Sequence, residues 1–377
     1  MTSLPIDDRA QVWRQTRNVL ALRLDNLGDV LMTTPALAAL GNDPGRRVTL
    51  LTSRAGAALK GHLPGLSDVM VYDAPWVSGA TRSGQADRRF LAKLAQRRFD
   101  AAVIFTVCTQ SALAAALFCR MAGIPLRLAH SRENPYALLT DWVRDTDVCA
   151  DGMRHEVERQ LDLVRSVGFG TDDLRLRFER RPGDTISVRR KLAGQGVDPD
   201  APYAVVHPGS SAASRRYPAE RFGSAARAIA EASGLQIVFA GGPAEFDAVA
   251  EARAAMGAPA ASLAGQLELG ELAALIAGAR LVLCNNSGPA HLAAATGTPV
   301  VVLYALTNPQ HTPWAVRSRV LNVDVPCRHC LKSVCPQVHH RCLLGVEPAT
   351  VAEAALELLR DSAAVAPQRW PRFARVA

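Results

Sequence analysis

Residues 281–304 constrain the fold more than any other stretch: Leu-Val-Leu-Cys-Asn-Asn-Ser-Gly-Pro-Ala-His-Leu-Ala-Ala-Ala-Thr-Gly-Thr-Pro-Val-Val-Val-Leu-Tyr. An apolar strand (Leu281–Cys284) runs into a polar, glycine-containing turn. A short alanine-rich helix follows, Gly297 and Pro299 stop it, and Val300–Tyr304 is a second buried strand. Ser287 stands at the N-cap position, and Gly288 lets a ligand approach the backbone. The first amides of a helix have no partner within it, and the partial positive charge of the helix start adds to them. The turn therefore suits a phosphate or diphosphate, with His291 one turn in as a further donor. A plain strand–helix–strand core unit carries the same pattern.

The alternation recurs on both sides. Strands are predicted at 18–24, 47–51, 69–72, 101–107 and 127–130, with helices at 30–40 (kinked at Pro35), 87–98 and 153–167. A charged stretch, 178–184, contains Pro182 and Gly183 and reads as a linker. The pattern then restarts: strands at 203–207 and 235–240, helices at 218–232, 244–256 and 270–277, a closing helix at 348–360, and a basic tail at 364–377. Repeated strand–helix units predict parallel sheets covered on both faces. The fold class is α/β, as two successive Rossmann-like, doubly wound units, which the length of 377 residues accommodates.

Ala101–Cys119 is nineteen residues without a charge, but Thr106, Thr109, Gln110 and Ser111 at its middle favour strand, turn and helix over a membrane span. No signal peptide is legible in the polar first eighteen residues, so the expected location is cytoplasmic. The net charge of +8 suits acidic partners. It is not gathered in one run, and aromatics are 5%, which does not support nucleic-acid binding by stacking.

Four motifs can carry chemistry. Arg23-Leu24-Asp25-Asn26-Leu27-Gly28-Asp29-Val30 sits at the end of the first strand, where ligands gather in such sheets. It lacks the three spaced glycines of a dinucleotide fingerprint, which disfavours a dehydrogenase. Asp29 is either a helix-start carboxylate or a base at the cleft mouth. His207-Pro208-Gly209-Ser210-Ser211, followed by Arg215 and Arg216, supplies amides, hydroxyls and charge for a diphosphate, or is an ordinary surface loop. In Gly241-Gly242-Pro243-Ala244-Glu245 the glycines allow close approach, and Glu245 can accept from a sugar or nucleoside hydroxyl or merely decorate a helix start. The second and third of these loops and the turn after Cys284 all end strands of the same half and so share one sheet edge. Finally, Cys327, Cys330, Cys335 and Cys342 fall within sixteen residues. They can close a tetrahedral structural zinc site; an iron–sulfur site or packing thiols are the alternatives. Cys108, Cys119, Cys149 and Cys284 are scattered and read as core thiols.

With these residues in view, the chain resembles the heptosyltransferases of glycosyltransferase family 9 over nearly its whole length. The resemblance rests on Leu27-Gly28-Asp29-Val30-Leu31-x2-Thr34-Pro35-Ala36-Leu37, on His207-Pro208-Gly209 and on Gly241-Gly242-Pro243-x-Glu245. Its most specific part is Ser287-Gly288-Pro289-x-His291-Leu292-Ala293-Ala294-Ala295-x-Gly297-x-Pro299, continued by Tyr304 and Thr307-Asn308-Pro309.

The resemblance implies a GT-B fold with two Rossmann-like domains facing a cleft. Residues 1–180 would bind the acceptor, typically a lipid-linked lipopolysaccharide-core glycan at the inner face of the plasma membrane. Residues 181–346 would bind the nucleotide sugar and include the cysteine segment 327–342, and 347–377 would form the closing helix and tail. The implied reaction is an inverting, metal-independent transfer with ADP-heptose as the expected donor. Asp29 matches the proposed base. Ser210, Ser211 and Arg215 match contacts to the donor phosphates, Glu245 a nucleoside contact, and Asn286, Ser287, Gly288 and His291 the pyrophosphate cradle. Asn286 departs from the Asp of many members, and Ala305-Leu306-Thr307 from their Gly-x-Thr. An epimerase or hydrolase of the same fold and a non-catalytic nucleotide-sugar binder are the rival readings.

Overall fold

The computed structural model describes residues 6–78 and 83–363; the expected basic tail lies outside them. The first half runs α1 (Ile6–Arg14), β1 (Asn18–Arg23), α2 (Leu27–Gly41), β2 (Arg47–Thr52), α3 (Arg54–Ala57), β3 (Asp68–Val71), α4 (Pro75–Ser78), α5 (Gly84–Gln96), β4 (Ala101–Ile104), α6 (Leu113–Met121), β5 (Leu126–Ser131), β6 (Asp141–Arg144) and α7 (Glu156–Arg165). The second runs α8 (Pro182–Gly194), β7 (Tyr203–His207), α9 (Ala219–Ser233), β8 (Gln236–Phe239), α10 (Phe246–Met256), β9 (Ala261–Ser262), α11 (Leu269–Gly278), β10 (Leu281–Asn285), α12 (Gly288–Thr296), β11 (Val300–Leu303), β12 (Ser318–Leu321), α13 (Arg341–Leu344) and α14 (Pro348–Ala363).

Two six-stranded sheets result, ordered β3-β2-β1-β4-β5-β6 and β12-β11-β10-β7-β8-β9, with parallel pairing throughout. Counted within its own half, each order is the doubly wound one, and its switch point lies between β1 and β4 or between β7 and β10. The expected α/β pair of Rossmann-like units is therefore present. Strands β4, β7, β10 and β11 are buried along their whole length, as apolar runs covered on both faces must be. One apolar core runs through both halves, with α2 packed against both α7 and α12.

Several expectations need correction. Helix α8 begins at Pro182, inside the stretch read as a linker. Proline is pre-organised for a first helical position, and the Asp184 carboxylate accepts from Arg181 N–H at 3.1 Å. Helix α2 starts earlier than predicted and runs unbroken through Pro35: Thr34 Oγ1 donates to Leu31 O at 2.6 Å, the carbonyl that proline leaves without its N–H. Strands β6, β9 and β12 were not predicted, because they are short and lie at sheet edges without a continuous apolar run. Ala101–Cys119 forms β4, a turn and most of α6, and no described helix is long and apolar enough to cross a membrane. Of the scattered thiols, Cys149 is only half-buried.

Candidate active site where two helix starts meet

Strand β1 delivers Arg23, fully buried, at its carboxyl end. Three carboxylates surround the guanidinium. Nη1 reaches Glu156 Oε1 at 2.8 Å, Nη2 reaches Asp29 Oδ1 at 3.3 Å, and Nε lies 2.9 Å from Asp25 Oδ2. Gln160 Nε2 donates to Glu156 Oε1 at 2.6 Å. Asp29 is the third residue of α2, and its Oδ2 accepts from Asn26 N–H at 3.1 Å. The helix-start role and the cleft position coexist in one side chain.

The loop after β11 closes this cluster from the second half. Asn308 Nδ2 lies 3.0 Å from His311 Nδ1; with the amide donating, the neutral ring carries its proton on Nε2. That atom stands 4.0 Å from Asp29 Oδ1 and 3.9 Å from Glu156 Oε2. The same loop is docked on the start of α7. Glu156 N–H donates to Gln310 O at 3.0 Å, and His155 Nε2 lies 2.8 Å from Thr312 O. His155 Nδ1 accepts from Val157 N–H, so Nε2 is the donor. Burial holds the His155 pKa down at about 4.

The electrostatics follow from one cation among three acids. Burial pushes the Asp25 carboxyl up to about 6, against the pull of Arg23. Burial acts the same way on Asp29, but Arg23, His311 and the Asn26 amide outweigh it and hold that carboxyl below its usual value. Burial lowers the His311 pKa and brings that of His291 down to about 3. Both imidazoles are neutral at neutral pH.

Facing Asp29 is the start of α12. A Cβ built on Gly28 would stand 2.7 Å from His291 Cδ2, and one on Gly288 would stand 3.7 Å from Leu27 Cδ2. The two helices thus meet start to start. Ser287 occupies the N-cap position but makes no cap bond; its hydroxyl bonds Asn285 O at 3.3 Å instead. Of the first three positions of α12, Pro289 has no N–H and Ala290 N–H donates to Ser287 O at 3.0 Å, so the Gly288 amide is the one left open at this helix start, which corrects the simple cap reading.

The other loops converge on the same edge. Ser210 is buried and Ser211 exposed. Arg216 Nε donates to Ser210 O at 2.7 Å, so Arg216 is tied to the loop itself. Arg215 has a buried Nε with no partner, and its charge acts on both His291 and His311. Glu245 Oε2 accepts from Gly242 N–H at 2.8 Å and lies 3.4 Å from His207 Nε2. Gly209 packs against that carboxylate. Asn286 is buried, with an unpartnered Nδ2.

The structure therefore brings Asp29, Gly288, His291 and Arg215 together and places Ser210, Ser211 and Glu245 on adjoining loops. Sequence reasoning missed the roles of Arg23, Asp25, Glu156, Asn285 and His311. Asn285 joins two loops, accepting from Tyr217 N–H at 3.0 Å and donating to Pro208 O at 2.7 Å. Arg23 and Asp25 stood within a quoted motif. The signal for Glu156 was a charge beside the apolar face of Val157, Leu161 and Val164.

The four late cysteines line one small cavity with His339 and His340. Cys327 Sγ lies 3.8 Å from His339 Nε2. Among the described residues, no group of three or more His, Cys, Asp or Glu side chains is placed to share a metal ion. The segment takes left-handed backbone at His329, Leu331, Val338 and His340. It braces the loop after β7, since Ser214 Oγ donates to Lys332 O at 2.7 Å and Ser214 N–H to Ser333 O at 2.9 Å.

The family profile described as glycosyltransferase family 9 (heptosyltransferase) matches residues 88–340, more than half of the chain. The chain belongs to glycosyltransferase family 9. It is a glycosyltransferase, as the expected family implied. It is 29% identical over 324 residues to lipopolysaccharide heptosyltransferase 1 of Pseudomonas aeruginosa, covering 84% of this chain and 87% of that one. It is 27% identical to lipopolysaccharide heptosyltransferase 2 of Escherichia coli, with 76% and 82% covered. Among solved structures, a family 9 glycosyltransferase from Veillonella parvula superimposes with a TM-score of 0.75 at 21% identity, over 92% of this chain and 97% of that one. At that identity the likeness speaks for the shared fold.

Proposed function

We propose that this family 9 enzyme transfers a heptose from ADP-heptose, with inversion, onto a lipopolysaccharide-core or related cell-envelope glycan. Residues 1–180 take the acceptor and 181–346 the donor, with 347–377 completing the second half. The acceptor is lipid-linked, so the protein works on the cytoplasmic side, at the inner membrane face. The names of the similar proteins support the donor and acceptor classes. The observation that carries the mechanism is the start-to-start meeting of α2 and α12, which sets Asp29 beside His291.

Asp29 accepts the proton of the acceptor hydroxyl as that oxygen bonds to the anomeric carbon. The bond from that carbon to the diphosphate oxygen breaks on the opposite face, and its electron pair leaves with the nucleotide. Asp29 is ionised at neutral pH but is a weak base, which fits a late transfer, once the hydroxyl has become acidic through bonding. Charge growing on the diphosphate meets the Gly288 amide and the positive end of α12, the His291 ring and Arg215. A preorganised donor of this kind is worth about 3 kcal/mol of barrier. Ser210 and Ser211 hold the phosphates, Glu245 the nucleoside, and Asn286 lines the cradle.

The four thiols form a donor set suited to a structural zinc, away from the reacting atoms. They must draw closer together to share the ion. Metal analysis of purified protein tests this: about one zinc per chain supports it, and none in fully active protein removes it.

For the transfer itself the test is Asp29→Asn. It is expected to lose transfer by about 100-fold or more while ADP-heptose still raises the melting temperature. Unchanged turnover would take Asp29 out of the role.

A further inference from the structure

The second half sends one imidazole toward the acids of the first, through a polar relay in the loop after β11. Thr307 Oγ1 donates to Asn308 Oδ1 at 3.1 Å. That bond settles which end of the amide faces the ring. Asn308 Nδ2 lies 3.0 Å from His311 Nδ1 and donates to it, because an amide nitrogen carries hydrogens and cannot accept. The proton of the neutral His311 ring therefore sits on Nε2. Asn308 itself is buried, and Tyr304 Oη donates to its carbonyl at 2.7 Å. Bonds to the backbone hold the residues on either side of His311. Gln310 O accepts from Glu156 N–H at 3.0 Å, and Thr312 O accepts from His155 Nε2 at 2.8 Å. The imidazole is thus aimed by a braced loop.

Two carboxylate oxygens lie ahead of that N–H. His311 Nε2 stands 4.0 Å from Asp29 Oδ1 and 3.9 Å from Glu156 Oε2. It is buried and has no hydrogen-bond partner among the described residues. Each gap exceeds a hydrogen bond by about 1 Å, which a side-chain rotation can close. A buried donor left unpaired costs free energy that such a closure recovers. Asp29 is the more loosely held of the two acids. Its donors, Asn26 N–H and Arg23 Nη2, stand at 3.1 and 3.3 Å, whereas Gln160 Nε2 and Arg23 Nη1 hold Glu156 at 2.6 and 2.8 Å. A third donor changes the orientation of Asp29 most.

We infer that His311 is a positioning residue for the transfer: its Nε2–H bonds Asp29 Oδ1 and fixes the carboxylate in the orientation that takes the acceptor proton. The inference rests on the reading of Asp29 as base. His311 keeps its own proton throughout, and the proton of the acceptor hydroxyl goes to Asp29. Arg23 and the Asn26 amide come from the same half as Asp29. His311 adds a donor from the other half, so the base is fully oriented only where the nucleotide-binding half is in place.

The test uses the full chain, ADP-heptose and a heptose-free lipopolysaccharide-core acceptor. His311→Phe keeps a ring and removes the N–H. It is expected to lower kcat about 10- to 100-fold, the worth of a hydrogen bond to a charged group, with KM for ADP-heptose unchanged and its melting shift retained. His311→Gln, whose amide reaches a similar place, is expected to recover part of the loss. In an Asp29→Asn background His311→Phe should add little, because it acts through the carboxylate already removed. NMR of protein labelled with ¹⁵N-histidine reads the contact without turnover. The His311 signals, identified by their loss in His311→Gln, are expected to show the proton on Nε2, and Asp29→Asn should move that proton upfield. A proton on Nδ1 overturns the inference, as does a resonance moved by Glu156→Gln and not by Asp29→Asn. So does a loss in His311→Phe that Gln does not relieve and that adds in full to Asp29→Asn. Loss of transfer in Asp29→Asn beside an unaffected His311→Phe overturns it too and leaves the base reading standing. In a protein that does not turn over ADP-heptose, the Asp29-dependent resonance supports the contact and the failure counts only against the transferase reading.

Discussion

Gly28 and His291 touch across the two halves of the molecule: a Cβ on the glycine would lie 2.7 Å from the imidazole Cδ2. One residue starts α2 beside the acid Asp29. The other lies one turn into α12. No side chain fits between them, so the glycine fixes how closely the two helix starts approach.

Gly28→Ala is therefore expected to push His291 off its position and destabilise the fold by about 1–3 kcal/mol, as overpacking does, with transfer falling alongside. Adding His291→Ala should recover much of the lost stability, because the two changes share one contact. Urea denaturation of the two single variants and the double variant measures the coupling; strictly additive losses would show that the contact is unimportant.

Arg23 is the cation on which three acids depend. Arg23→Met leaves Asp25, Asp29 and Glu156 buried without it, and breaking such a buried set costs about 3–5 kcal/mol. The freed carboxyls would have raised pKa values in the folded state. Their stability contribution is thus present at low pH and lost as pH rises. The variant should come closest to the parent near pH 4 and fall furthest below it above pH 6. Melting temperatures across that range decide it; a deficit independent of pH would mean that packing dominates.

Much of this was legible in the chain, and the boundary of legibility is physical. Apolar runs such as Val205–Val206 and Val300–Leu303 announced covered strands because nothing polar interrupts them. Strands β6 and β12 did not, because edge strands keep polar and exposed positions. Asp29 and the Ser287–His291 turn could be found because a strand end and a helix start are local signals. Glu156 and His311 meet Arg23 from positions 133 and 288 residues away along the chain, and only the tertiary fold puts them there.

Asp25 and Asp29 should leave opposite marks on the pH profile of stability. The Asp29 carboxyl is lowered in the folded state from an ordinary value near 3.8, so its contribution grows as pH rises through the acid range and is complete above the unfolded pKa. Asp25 is raised from 3.8 to about 6. Its contribution is whole below about pH 4 and is lost as pH rises toward and past 6. Two pKa units correspond to about 3 kcal/mol at most. Asp25→Asn should flatten the decline between pH 4 and 7 and leave the rise below pH 4 in place. An identical decline in the variant would assign it to other groups.

The neighbouring arginines 215 and 216 should separate by kinetics, although nothing in the local sequence distinguishes them. Arg216 spends its guanidinium on Ser210 O, at 2.7 Å, and on Ser211 O, at 3.4 Å; it shapes the loop. Arg215 keeps a buried, unpartnered Nε and acts on His291. A charge that meets the diphosphate as it departs stabilises the transition state more than bound substrate, and removing it lowers kcat together with kcat/KM. Arg215→Ala is expected to cost about 3 kcal/mol of barrier, roughly 100-fold in kcat. Arg215→Lys should restore part of it, because charge survives while the planar fork is lost. Arg216→Ala should chiefly raise KM for the nucleotide sugar, since a loosened loop binds ground state and transition state alike. Steady-state kinetics of the three variants decide the division of labour. Should Arg216→Ala lower kcat as much as Arg215→Ala while leaving KM unchanged, the roles given to the two side chains are reversed.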